Sequence, residues 1–383
     1  MLGVDAVFDR RGERRTRSVI ATPALVCELG LLLGNIRRMA ELTRSAGVAL
    51  RPHVKSHKST FIARRQLDAG AAGLSFAKLA EAEVIVERLV VDGDAPPVSA
   101  LLTSPIVGAA SAQRAAHLAR QCELIVVVDH VDGVDEIAAA ARSAGTEISV
   151  LCDVDVGLSR TGVTSPESAL AIVERVARSP RLRFAGVQGY GGHLQHLAGR
   201  DRRREATIVS TGRLDRVIDV LEAAGHPVAL RTGGGTGTSG IDLELGTLNE
   251  LQAGSYVFMD REYRDALGED EEGRFAQSLM IATTVISANQ EGFVTVDAGL
   301  KSMATDAGSP TVLGHEDAVT YHFFGDEHGL VTNPPNGRFN RGDRLELVPP
   351  HCDPTVDCYD NIWLVEGDVI VGVIDVTARG RSR

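Results

Sequence analysis

Only five cysteines occur in 383 residues: Cys27, Cys122, Cys152, Cys352 and Cys358, an odd number with no CxxC pair among them. A disulfide framework and a structural zinc module are thereby disfavoured, and a reducing cytoplasm is the expected compartment. Long apolar runs are missing as well. None approaches the length that spans a bilayer, and the arginine-rich start, Met1 to Arg17, lacks the apolar core of a signal peptide. A soluble protein without a membrane partner is expected. Positive charge is in deficit: the formal net charge is −11, which argues against a general nucleic-acid binder. No internal repeat or low-complexity stretch is visible. The 44% hydrophobic content suffices for one large or two medium cores.

From Leu25 to about Ser255, eight short apolar runs alternate with helical periodicity. The runs are Leu25 to Cys27, Ala49-Leu50, Leu74 to Phe76, Val98 to Leu101, Leu124 to Val128, Ile148 to Cys152, Phe184 to Val187 and Val228 to Leu230. Eight strands separated by helices predict a (β/α)8 TIM-like barrel over residues 22–258. Beyond Met259 the texture becomes strand-like pieces between turns, so residues 1–21 and 259–383 are expected to form a second, mainly β domain, with Arg17 to Ile20 as an added strand.

In the run from Leu50 to Lys58, Arg51, His53, Lys55 and His57 alternate with Pro52, Val54 and Ser56. An extended backbone would put the four basic residues on one face. Cationic neighbours lower a lysine's pKa, which would make Lys55 a candidate amine nucleophile; the alternative is a basic strand end at the surface. Arg231 to Thr238 is a glycine-rich loop following the last strand-like run, and such loops let backbone amides approach an anion, the alternative being a flexible turn. Loops after the seventh and eighth barrel strands are usual phosphate sites. A reactive lysine and a phosphate loop together suggest pyridoxal 5′-phosphate. In Pro349 to Thr355, an extended backbone would place His351 and Asp353 on one face, able to share a cation with open positions left for water and substrate. Taken alone, a His–Asp hydrogen bond in a turn is the simpler reading of that pair.

These segments, with Thr22 to Val26, Glu250 to Tyr256, Asp297 to Ser302 and Asp326 to Gly329, run in order along nearly the whole chain. Together they resemble the D-threonine aldolase family, which stands with the D-serine dehydratases among the alanine-racemase-type, fold-type III pyridoxal-phosphate enzymes. The resemblance implies that Lys55 carries the cofactor covalently and that His53, Thr232, Gly234, Gly235, Thr236 and Tyr256 surround it. It puts Arg160 and Tyr190 beside the pyridine ring, His196 near the substrate, and a divalent metal on His351 and Asp353. His193 stands where the family usually has a small residue, so the base is either His193 or His196. Related dehydratases tend to carry cysteine where Asp353 stands, which favours the aldolase. The expected reaction is retro-aldol cleavage of a D-3-hydroxy-α-amino acid to glycine and an aldehyde. It would use pyridoxal phosphate and Mn²⁺ or Mg²⁺, with Zn²⁺ as a further option, in a homodimer. A dehydratase that eliminates the β-hydroxyl, an amino-acid racemase and a non-catalytic cofactor carrier are the competing classes.

Overall fold

The computed structural model describes residues 13–91, 98–268 and 275–383. In chain order the strands that build its two sheets begin with β1 (Ala24–Glu28), followed by β2 (Ala49–Leu50), β3 (Leu74–Phe76), β4 (Ser99–Leu102), β5 (Glu123–Val128), β6 (Ile148–Asp153), β7 (Leu182–Gly189), β8 (Leu230–Gly233) and β9 (Glu250–Leu251). Strands β2 to β9 form one eight-stranded sheet in the order β2-β9-β8-β7-β6-β5-β4-β3, every adjacent pair parallel. The ring closes between β2 and β3 through a parallel bridge from His53 to Ser75 and the hydrogen bond from Ser75 N to Pro52 O at 2.9 Å. Helices α1 (Leu29–Ser45), α2 (Thr60–Asp68), α3 (Leu79–Val91), α4 (Ala109–Leu118), α5 (Val131–Ala144), α6 (Pro166–Ala177), α7 (Arg200–Ala223) and α8 (Ser239–Leu245) follow the strands in turn. This is a TIM-like barrel, whose closure leaves no sheet edge and covers the outer faces with helices.

The first strand-like run does not belong to the barrel. β1 lies at the centre of the second sheet, antiparallel to β10 (Leu279–Ser287) and parallel to β16 (Asn361–Glu366). Its residues are buried on both faces: Leu25 and Cys27 join the large core, while Ala24 and Val26 join a smaller cluster with Ile20, Ala282, Val365 and Ile370. A strand buried on both faces reads as a continuous apolar run whether its sheet is parallel or mixed, so periodicity could not assign it. The eighth barrel strand is β9, two residues long. Its Glu250 reads as a solvent position in the sequence but is buried, paired with Arg51 Nε at 2.8 Å; Arg51 also donates through Nη1 to Ser99 O at 3.0 Å. The glycine-rich loop therefore follows the seventh barrel strand.

The second sheet continues with β11 (Phe293–Val296), β12 (Thr311–Val312), β13 (Tyr321–Phe323), β14 (Gly329–Thr332), β15 (Arg344–Val348) and β17 (Val369–Asp375), in the order β13-β14-β11-β10-β1-β16-β17 with β15 on β10 and β12 on β15. It is the expected second, mainly β domain. Arg17 to Ile20 is not an added strand. Arg17–Val19 is a single 3-10 turn, and the approach to the sheet edge is made by Ile370 N to Arg15 O at 2.9 Å and Arg17 N to Asp368 O at 2.8 Å. Two short helices, α9 (Arg261–Leu267) and α10 (Cys352–Val356), join the domains at the barrel mouth. The buried Asp260 carboxylate ties them, accepting from Tyr263 N at 2.9 Å and from Cys352 N at 2.8 Å.

Candidate active site

Lys55 is not on a strand. β2 ends at Leu50 and the chain turns at Val54–Ser56, a 3-10 turn, so the expected alternation of four basic residues on one face is broken. Each has a different setting. Arg51 is in the core with Glu250. His53 is buried; Thr103 Oγ1 donates its proton to Phe76 O, so His53 Nε2–H donates to Thr103 Oγ1 at 3.1 Å while Nδ1 accepts from Lys55 N at 3.4 Å. Burial, then the positive charge of Lys55, pushes His53 down to about 3 and keeps it neutral. His57 accepts from Ser59 N at 3.1 Å and donates through Nε2 to Gln66 Oε1 at 3.1 Å; burial holds it at about 4. Gln66 in turn donates to Tyr256 Oη at 3.0 Å. The histidines thus fix the turn and leave Lys55 as its cation.

Lys55 Nζ lies 2.9 Å from Asp353 Oδ2. That pairing reverses the expected pKa shift: the Asp353 carboxylate outweighs burial and raises Lys55 instead of lowering it. Burial by itself would raise Asp353, but Lys55 and His351 hold it well below the usual carboxylate range. Its other oxygen accepts from Ser255 Oγ at 3.1 Å and from Cys352 Sγ at 3.3 Å.

His351 and Asp353 are not on an extended segment either. His351 is the N-cap residue of α10 and Asp353 lies in the first turn of that helix. His351 Nδ1 is 2.7 Å from Asp306 Oδ2. His196 stands beside it, ring centroids 6.5 Å apart, packed edge-on against Tyr263 at 4.4 Å, with Nδ1 3.5 Å from Glu262 Oε1. Its Nε2 is buried without a hydrogen-bond partner, and burial lowers its pKa. The charges of Asp353 and Lys55 also reach His196. His193, at an exposed position in the turn Gly192–Leu194, has its Cε1 against Gly157 and Gly191 instead.

Across the barrel mouth, Arg160 stacks over the Tyr190 ring at 5.5 Å, on a loop held by Asp155 Oδ1, which accepts from Gly157 N at 2.8 Å and Ser159 N at 2.9 Å. A polar chain crosses below: Gln188 Nε2 donates to Asp153 Oδ1 at 2.9 Å, and Gln252 Nε2 donates to Gln188 Oε1 at 3.1 Å and to Thr232 Oγ1 at 3.0 Å. The glycine-rich loop is closely packed from beneath. A Cβ on Gly235 would stand 2.4 Å from Gln195 Oε1, one on Gly237 2.0 Å from Gln195 O, and one on Gly234 (φ +66) 2.4 Å from Asp242 Oδ2. Tyr256 N donates to Thr236 Oγ1 at 3.0 Å, but the Tyr256 ring is fully buried with its hydroxyl on Gln66, so only its backbone faces the loop. Lys301, in the Asp297 to Ser302 segment, pairs with Glu327 at 2.6 Å on the exposed surface, away from these groups.

The alanine racemase N-terminal domain family matches residues 28–262 of this chain, and the serine dehydratase domain matches residues 278–365. 3-Hydroxy-D-aspartate aldolase from Paracoccus denitrificans (strain Pd 1222) is 35% identical over 371 residues, and D-threonine aldolase from Arthrobacter sp. 36% over 365; each alignment covers 95% of this chain and 94% of the relative. The chain belongs to the D-threonine aldolase family. It is accordingly an enzyme of the carbon–carbon lyase class. Among solved structures, D-threonine aldolase from Filomicrobium marinum superimposes with a TM-score of 0.91 at 31% identity, covering 97% of this chain and all of that one. D-threo-3-hydroxyaspartate dehydratase from Delftia sp. HT23 does so with 0.83 at 26%, covering 94% and 99%.

Within this D-threonine aldolase family frame, sequence reasoning missed Asp306, Glu262, Tyr263, Asp260 and Ser255. Glu262 and Tyr263 carry a weak signal, since Asp260 followed by an acidic first turn marks a helix start at the end of the barrel segment. Asp306 carries none, lying far from His351 in sequence. Among the described residues no group of three or more His, Cys, Asp or Glu side chains converges as a metal cage.

Proposed function

We propose that this chain is an aldolase that cleaves D-3-hydroxy-α-amino acids to glycine and an aldehyde, using pyridoxal phosphate and a divalent cation. The observation that carries the reading is the meeting of Lys55 and Asp353 at 2.9 Å, because it joins the residue expected to hold the cofactor to a residue expected to hold the metal. The donor set fits both groups. The Lys55 amine and the closely packed glycine loop both follow parallel barrel strands, and the Asp353 carboxylate feels the charge of the His351 imidazole. A solved mutant of a D-threo-3-hydroxyaspartate dehydratase is described as being in the metal-free form, which supports a metal in that relative.

Pyridoxal phosphate, when bound, supplies an electron sink for the bond broken at the α-carbon. A divalent cation, which His351 and Asp353 would hold, would supply stabilisation of negative charge on the substrate hydroxyl; one carboxylate and one imidazole suit Mn²⁺ or Mg²⁺, with Zn²⁺ as the alternative. The chain's own residues do the remainder. Lys55 would hold the cofactor through Nζ, and Asp353, released from its ion pair with Lys55, would then be available to a cation. Thr232, Gly234, Gly235 and Thr236, with the amide of Tyr256, form the phosphate end. Arg160 and Tyr190 lie at the opposite wall, and His53 supports Lys55 from below. His196 accepts the β-hydroxyl proton at Nε2, the buried nitrogen that has no hydrogen-bond partner among the described residues. His193, with its Cε1 against Gly157 and Gly191, is the less favoured of the two histidines for that role.

The test is metal removal. Treating the cofactor-loaded protein with EDTA, or substituting His351→Ala, should cut aldehyde release from D-threonine by on the order of 10²-fold or more while the visible absorbance of the bound cofactor stays. Mn²⁺ should restore the chelated wild type and not the variant. The same assay judges the dehydratase reading, which the Delftia relative keeps in view. A keto acid and ammonia, in place of glycine and an aldehyde, would replace the aldolase.

A further inference from the structure

Asp306 is exposed over 57% of its side chain, and an exposed carboxylate–histidine contact contributes little by itself, about 0–1 kcal/mol. What distinguishes this one is that the segment around it is pinned to the helix that carries His351. Met303 is buried, and Ala304 N donates to Thr355 Oγ1 at 3.0 Å. That same hydroxyl donates to His351 O at 2.6 Å, so a single α10 side chain holds the Asp306 segment and the His351 backbone together. On the same side Tyr359 Oη donates to Ser302 O at 2.7 Å, and on the other side of Asp306 the Arg261 guanidinium donates to Ala307 O. Asp306 is thereby held between two anchored peptides and meets His351 Nδ1 at 2.7 Å without ordering a free loop.

An ionised carboxylate can only accept, so the proton of this hydrogen bond is on Nδ1 and the lone pair of the neutral ring is on Nε2. A ring so fixed has one ligating atom in one orientation. Histidine ligands gain affinity and geometry from this kind of outer carboxylate, whose loss costs about 10- to 100-fold in metal binding. We infer that Asp306 is a positioning residue that holds His351 as an Nε2 metal ligand, and that the site binds its cation through three chain residues acting together: Asp353, His351 and, outside the coordination sphere, Asp306. This rests on the metal reading above.

The experiment titrates Mn²⁺ into EDTA-stripped, pyridoxal-phosphate-loaded protein and counts the free ion by electron paramagnetic resonance, for wild type, Asp306→Asn, Asp306→Ala and Asp353→Asn. Asp306→Ala should bind Mn²⁺ about 10- to 100-fold more weakly. Asp306→Asn, which keeps an acceptor oxygen, should fall between. At saturating Mn²⁺ the kcat of Asp306→Ala should return to near the wild-type value, with an unchanged thermal midpoint. Wild-type affinity in Asp306→Ala beside lost affinity in Asp353→Asn would overturn the role of Asp306 and leave the metal site standing. A deficit that excess Mn²⁺ does not rescue would make Asp306 merely structural and overturn it too. If Asp353→Asn also binds Mn²⁺ like wild type, the metal reading falls, and this inference with it.

Discussion

The two sides of the barrel mouth are built on opposite plans. The glycine-loop side is made of backbone packed so closely that Gly234, Gly235 and Gly237 have no room for a Cβ, over the buried chain Gln195, Thr238 and Asp242. The α9–α10 side is made of ionisable side chains that hold one another: Lys55 with Asp353, His351 with Asp306, His196 with Glu262. A backbone cradle has one shape and charge state, which suits an anion held throughout turnover. Paired side chains can exchange partners, which suits protons and a cation that change state during it. The difference between the sides is one of division of labour: shape on one, charge on the other.

Three experiments test this contrast. The largest effect is expected on the charged side, where Lys55→Ala should remove borohydride-reducible attachment of the cofactor and lower aldol cleavage by on the order of 10²- to 10⁴-fold. Lys58 cannot substitute, because its Nζ is buried between Glu81 at 3.2 Å and Asp357 at 2.9 Å. Retention of a reducible attachment in Lys55→Ala would dissolve the proposed division.

The next probes the one titrating group under the cradle. Burial pushes Asp242 up to about 7 from 3.8, and its hydrogen bond from Thr238 Oγ1 at 2.6 Å only partly offsets this. A carboxyl raised in the folded state contributes stability that is present in full below the unfolded pKa and is lost as pH rises through the folded one. Asp242→Asn, neutral throughout, should therefore gain on wild type by up to about 1.4 kcal/mol per pH unit as pH climbs from the ordinary aspartate range toward neutrality. Urea unfolding at pH 5, 6, 7 and 8 measures it. A pH-independent difference would show that Asp242 is ionised in the fold.

The smallest effects separate glycines that the cradle needs from one it does not. Gly237→Ala puts a Cβ 2.0 Å from the Gln195 carbonyl and should cost about 1–3 kcal/mol, read as a lower melting midpoint and weaker cofactor retention on dialysis. Gly240→Ala, in α8 with nothing within 4 Å, should be neutral or stabilise by less than about 1 kcal/mol. Equal responses would mean the loop tolerates rearrangement and is not a rigid cradle.

Much of the architecture was readable along the chain. The runs at Leu74, Leu124, Ile148 and Phe184 became barrel strands because a strand buried on both faces needs an unbroken apolar segment, and that is a local property. Beyond Met259 the strand-like pieces between turns were readable as strands of the second sheet, and Arg344–Val348 and Val369–Asp375 are two of them. β9 was not readable, since two residues carry no period and the charge of Glu250 is neutralised only by an arginine 199 positions away. The short strands β12, β13 and β14 and the helices α2 and α6 were missed too. At the site, Lys55, the glycine loop and the His351–Asp353 pair stood out as residue types with few ordinary reasons to occur together. Their settings did not, because the extended geometry assumed for both lysine and metal segments is a turn in one and a helix start in the other.

The sequence by itself determined that a barrel joins a β domain and that a lysine, a glycine-rich loop and a histidine–aspartate pair are the groups to look for. Periodicity and residue chemistry are properties of neighbours along the chain. Tertiary structure alone decided that β1 leaves the barrel, that Lys55 is held charged instead of being depressed, that His196 lies beside His351, and that Asp306 reaches His351. Each of these depends on a distance of a few ångströms between residues remote in sequence, and Coulomb interaction and burial, which set the charge states, depend on that distance and on nothing written locally in the chain.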